Sequence, residues 1–192
     1  MDFFKDFKVA KPEFQLLPEG EQVVRLLRVE LLNSFQQYNG TAKDELPQWE
    51  NATPQLAVTV VASEEGKNGG MTHRFNGCGY RKYDELTKAE KDSGKYEDID
   101  GYACYTDDEG DMIREEDPDR TEKCANIINQ FASALQIEEG EDLMPALNRA
   151  IEDQVAFRVT VVNEPYEGKD QFRLTRFRAL ATVTAGGEDF DD

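Results

Sequence analysis

The stretch Val155-Ala156-Phe157-Arg158-Val159-Thr160-Val161-Val162 decides the fold class. Val155, Phe157, Val159 and Val161 alternate with Ala156, Arg158, Thr160 and Val162, a period of two that gives a strand one row of side chains on each face. Residues 164–170 follow as a hairpin loop, and 171–183 read as the last strand. Simple alternation there groups Phe172, Leu174 and Arg176 on one face and Arg173, Thr175 and Phe177 on the other.

Upstream of this pair the period changes. Cys124, Ile127, Ile128, Phe131 and Leu135 keep the i, i+3, i+4, i+7 spacing of a helix with one apolar face. Asp119 and Thr121 are its expected caps and Gly140 its expected stop. A shorter helix over 143–151 tolerates Pro145 in its first turn. Further back lie three strands. In the first, 22–32, Val23, Leu27, Val29 and Leu31 are expected on one face, Arg28 and Glu30 on the other, with Arg25 breaking the alternation. The second and third, 55–62 and 71–75, are joined by a glycine-rich turn. A polar, aromatic loop over 34–54 carries Phe35, Tyr38 and Trp49. Residues 84–118 read as an acid-rich insertion. Inside it Gly101-Tyr102-Ala103-Cys104-Tyr105, the turn Asp107-Asp108-Glu109-Gly110, and Met112-Ile113 form a small hairpin.

Three strands, a helical stretch and two strands predict a mainly β fold with one or two helices. The order is that of an OB-like five-stranded barrel with an acidic insertion after the third strand. The expected organisation is an N-terminal arm over 1–16, the OB-like domain over 17–184 with its insertion at 84–118, and a flexible acidic tail over 185–192.

The net charge of -18 argues at face value against nucleic acid, because neutralising phosphates takes Lys and Arg. The distribution weakens that objection. Acidic residues concentrate at 84–122 and 188–192, whereas the strand-like segments carry Arg25, Arg28, Arg74, Arg158, Arg173, Arg176 and Arg178. A local basic surface inside an acidic chain is therefore available. No run approaches the roughly 18 apolar residues of a membrane span. The start Met1-Asp2-Phe3-Phe4-Lys5-Asp6 lacks the basic and apolar regions of a secretory leader. Three widely spaced cysteines suggest no disulfide framework, so a reduced, cytoplasmic protein is expected.

No catalytic signature is found. G-x-x-x-x-G-K-[ST], G-x-S-x-G and H-E-x-x-H are all missing, and one histidine argues against a Ser/His/Asp apparatus. His73, Cys78, Cys104 and Cys124 invite a zinc reading, but without a close CxxC or CxxH pair they are expected as free thiols and a lone imidazole. Asp98, Asp100, Asp107, Asp108, Glu109 and Asp111 do not fit a calcium loop and read as solvated acids. No metal or cofactor is expected, and no enzyme.

Three stretches resemble single-stranded DNA-binding proteins of phages and mobile elements. They are the opening Leu17-Pro18-Glu19-Gly20-Glu21-Gln22-Val23-Val24-Arg25, the loop Glu164-Pro165-Tyr166-Glu167-Gly168-Lys169, and the tail Gly186-Gly187-Glu188-Asp189-Phe190-Asp191-Asp192. The acidic insertion departs from the simplest members of that family. The resemblance implies sequence-independent coating of single-stranded DNA during replication and recombination in a bacterial host's cytoplasm. It also implies that the tail (Glu188, Asp189, Phe190, Asp191, Asp192) competes with DNA and recruits replication or recombination proteins. Such binding needs cations for phosphates and rings for bases. The phosphate candidates are Arg28, Arg74, Arg81, Lys82, Arg158, Arg173, Arg176 and Arg178; the stacking candidates are Tyr38, Trp49, Tyr80, Tyr83 and Phe177. The plainer reading makes each strand arginine a solvated face residue and each ring a cap on the core. Two rival functions stay open: an acidic module that mimics DNA and occupies another protein, and a small virion or scaffold component. Oligomeric state stays open as well.

Overall fold

The computed structural model describes residues 15–35, 48–64, 69–165 and 170–180, and over these the chain is mainly β, with antiparallel sheets and three helices. In chain order the elements are β1 (Gly20–Asn33), β2 (Pro54–Ala62), β3 (Gly70–Asn76), α1 (Lys88–Asp92), β4 (Glu97–Ile99), β5 (Tyr102–Thr106), β6 (Met112–Arg114), α2 (Pro118–Ala134), α3 (Leu143–Glu152), β7 (Ala156–Asn163) and β8 (Phe172–Ala179). One five-stranded sheet runs β3-β2-β1-β7-β8 and a three-stranded sheet runs β4-β5-β6. The long first strand is shared. Its residues 20–25 pair with β7, and 24–33 pair with β2.

Inward-facing β-branched and aromatic residues make the core. Val24, Val58, Val60, Phe157 and Val159 are fully buried, joined by Phe131 of α2 and Leu147 of α3. The Phe131 ring lies 5.0 Å from Phe75, 5.8 Å from Phe157 and 5.5 Å from Phe177, so α2 is tied to three strands by one side chain.

Two strands break the alternation expected of them, for the same reason. In β1 the register with β2 shifts by one residue between Leu26 and Arg28. An extra residue in one strand reverses which face the subsequent side chains occupy. The core-facing row is therefore Val24 and Leu26 before the bulge and Val29 after it, opposite Val58, with Arg28 and Glu30 outward as expected. The expected face of Val23, opposite Arg158, is corrected, and Leu27 and Leu31 stand 52% and 67% exposed. In β8 the register with β7 shifts opposite Arg158 and Thr160, and Arg176 takes a left-handed backbone with φ 53°. Phe177 is thereby turned to the side of Phe172 and Leu174, against Phe75 and Phe131.

The helix boundaries also differ from expectation. The cap of α2 is Asp117, whose carboxylate accepts the Arg120 N–H at 3.1 Å, with Pro118 in the first turn. Its end is set by Gln136 at φ 60°, four residues before Gly140. On its expected apolar face Ile127 is 45% exposed, whereas Phe131 and Leu135 are buried. The acidic insertion is folded rather than a bare loop. It holds α1, capped by the reciprocal Thr87–Glu90 pair, and the β4-β5-β6 sheet, which buries Ala103 and Cys104. Bridges from Tyr80 to Glu116 and from Lys82 to Tyr102 attach it to the chain leaving β3. Where that chain meets α2, Gly79 donates its N–H to Thr121 Oγ1 at 3.0 Å.

Candidate nucleic-acid interface

The outer strands β3 and β8 come back towards each other. The Leu174 N–H of β8 donates to His73 Nδ1 of β3 at 3.4 Å, and the Phe75 and Phe177 rings meet at 5.5 Å. Between these strands opens a cleft of ≈ 720 Å³, lined by Thr72–Asn76 of β3, Cys124, Ile127 and Gln130 of α2, and residues 171–177 around β8. Three guanidinium groups line it: Arg74, Arg173 and Arg176. Arg173 pairs with Glu164 at 3.0 Å. Arg74 and Arg176 have no carboxylate partner among the described residues. Both are exposed, beside the half-buried rings of Phe172 and Phe177.

The bulge in β8 makes this arrangement. A left-handed backbone at a residue with a Cβ costs about 1 kcal/mol, and at Arg176 the same kink that seats Phe177 in the core leaves the arginine on the cleft wall. From the sequence, His73 stood out only as a metal candidate. Here burial, and then the charge of Arg173, lowers its pKa to about 4, so near neutral pH the ring is uncharged and Nδ1 is free to accept from Leu174.

The other cationic candidates lie outside the cleft. Arg28 shares the outer face of the sheet, opposite Thr59, and is ion-paired with Glu30. Arg158 and Arg178 stand opposite one another on β7 and β8, with Arg158 bound to Glu21 at 2.6 Å. Arg81 is held by Glu90 at 2.8 Å and Glu115 at 3.3 Å, and its guanidinium keeps the Glu90 carboxyl down at about 2. Lys82 sits 3.6 Å over the Tyr102 ring.

Of the aromatic candidates, Trp49 and Tyr80 are each 8% exposed, so their faces are closed to bases. They wrap a residue that composition did not single out, Arg114, which is itself 5% exposed. Its guanidinium carbon lies 3.6 Å from the Tyr80 ring centre and 4.6 Å from that of Trp49. It donates to the Asn51 carbonyl at 2.5 Å and to Thr53 Oγ1 at 3.1 Å. Burial pushes the Tyr80 hydroxyl up to about 12, helped by its hydrogen bond with Cys78. Phe177 is half-buried in the core cluster, and Tyr83 lies 5.3 Å under the Lys91 ammonium. Tyr38 and the tail residues Glu188, Asp189, Phe190, Asp191 and Asp192 lie outside the described residues.

The three cysteines are free, and among the described residues no group of three or more His, Cys, Asp or Glu side chains could hold a metal ion. No described helix is long and apolar enough to cross a membrane. No protein-family model matches the chain, and no curated protein matches its sequence.

Proposed function

We propose that the chain binds single-stranded DNA without sequence preference, along the β3–β8 cleft and the adjoining outer face of the sheet. The five-stranded sheet is read as an OB-like barrel: its strand order, the first strand shared by two neighbours, and the helices after the third strand all favour that architecture. One observation carries the functional reading. In a chain with 40 acidic residues, Arg74 and Arg176 have no carboxylate partner among the described residues, and both line the cleft that also holds the half-buried rings of Phe172 and Phe177. Cations for the backbone and rings for bases are the requirements of sequence-tolerant binding. The proposed setting is DNA replication or recombination of a phage or mobile element in a bacterial cytoplasm. In that setting residues 188–192 recruit partner proteins and compete with DNA for the cleft.

Fluorescence anisotropy with labelled oligo-dT and with a duplex of equal length tests this. Full-length protein should prefer the single strand, and a chain ending at Ala185 should bind it more tightly. Equal, weak binding to both nucleic acids would refute the proposal. A second reading, an acidic module that mimics DNA, draws on the exposed Glu97, Asp98, Asp100, Asp108, Glu109 and Asp111 of the insertion. It requires no affinity for single strands.

A further inference from the structure

Among the described residues the first strand leaves one edge open. Its partner β7 covers residues 20–25 only, while β2 pairs along the opposite side as far as Asn33. From Leu27 to Leu31 no strand lies on the β7 side among the described residues. Open edges are normally blunted by charge, proline or a covering element, because their free N–H and C=O groups pair with any compatible strand. This one carries a bulge at its start and the charges of Arg28 and Glu30, but these two pair with each other and sit between Leu27 and Leu31, which are 52% and 67% exposed.

We propose that this edge pairs with the same edge of a second copy, antiparallel about a two-fold axis at Val29. The sequence Leu27-Arg28-Val29-Glu30-Leu31 is self-complementary in that register. Leu27 faces the second copy's Leu31, Arg28 faces its Glu30, and Val29 faces Val29. Arg28 and Glu30 share one face of the sheet, opposite Thr59 and Ala57 of β2, so the exchanged ion pairs form on a single continuous surface. Within one copy the two already pair with each other, and the dimer swaps that contact for two intersubunit ones. A two-fold interface uses one patch twice and must be complementary to itself. Apolar and opposite-charge cross-strand pairs are the favourable kinds in an antiparallel ladder. A foreign strand would satisfy the backbone, but the matched order of leucines and charges selects a second copy.

Sedimentation velocity of the full chain without nucleic acid, from low micromolar to several hundred micromolar, tests the interface independently of DNA binding. The parent should show a concentration-dependent dimer. Arg28→Glu places like charges opposite each other at both ends and should weaken association at least about tenfold. The double variant Arg28→Glu/Glu30→Arg restores opposite charges and should recover the dimer. Leu31→Lys should abolish it, and since Leu31 is exposed its far-ultraviolet circular dichroism should match the parent's. A parent that stays monomeric throughout, or a single charge reversal that associates as well as the parent, would overturn the proposal.

Discussion

Replacing His73 with asparagine should flatten the acid side of the stability profile. The chain has one histidine, so the difference between parent and variant isolates its titration. In the fold its pKa falls from the ordinary 6.5 to about 4, through burial first and the Arg173 charge second. The unfolded chain therefore takes up a proton as pH drops through 6.5 while the native chain does not, and stability declines until pH reaches about 4. At about 1.36 kcal/mol per pH unit across that gap, the loss is at most about 3.4 kcal/mol. Asparagine retains an acceptor oxygen near the position of Nδ1 but does not titrate. Its variant should lose some packing against Phe75, whose ring lies 4.6 Å from the imidazole, and so be weaker at pH 7. Urea denaturation of both proteins at several pH values between 7 and 4 measures the effect, with carboxylate titration common to the two. The parent's stability should fall by about 3 kcal/mol more than the variant's over that range. Parallel profiles would show that the ring is already protonated or solvated in the native state, and the seam between β3 and β8 would need another explanation.

Substitutions at three further positions probe the fold and the cleft. Gly79→Ala would place a Cβ within 2.3 Å of Arg120 Cβ and 3.1 Å of its carbonyl carbon, so thermal unfolding should show a loss of about 1–3 kcal/mol. Arg114→Ala empties the centre of the Trp49–Tyr80–Tyr102 cage and should cost about 3 kcal/mol, whereas Arg114→Met, which fills the space without a charge, should cost less. The fluorescence of the single tryptophan reports both. Arg176→Gly relieves the left-handed backbone and should stabilise the fold by about 1 kcal/mol while weakening binding to oligo-dT.

Much of the architecture was legible because local pattern and tertiary burial agree. The alternation of β7 put Phe157, Val159 and Val161 in the core as expected, and the hairpin around Asp107–Gly110 appears as β5 and β6. The bulges were not legible. One inserted residue in β1 and one in β8 leave composition and hydropathy unchanged, yet each switches the core-facing parity of its strand. Val24 and Leu26 were therefore missed as core residues and Phe177 was misplaced, while Val29 faces the core as expected. In β8 the warning sign was Arg176 in Arg173-Leu174-Thr175-Arg176-Phe177-Arg178, which plain alternation would have directed at the core with Phe172 and Leu174. The arginine cage was hidden for another reason. Asn51, Thr53, Tyr80 and Arg114 are brought together by contacts spanning up to 63 residues, and no local spacing encodes them. The same distance in sequence explains why the sequence left Trp49 and Tyr80 open between stacking on bases and capping the core, where burial places them.

The most direct measurement compares the salt dependence of oligo-dT binding for the parent and for Arg74→Ala/Arg176→Ala. Each phosphate contact on a single strand contributes about -0.7 to the slope of log affinity against log salt. Removing both arginines should weaken binding and flatten that slope by about 1.4, with the fold intact by circular dichroism. A double variant that binds with the parent's affinity and slope would contradict the assignment of the β3–β8 cleft as the nucleic-acid site.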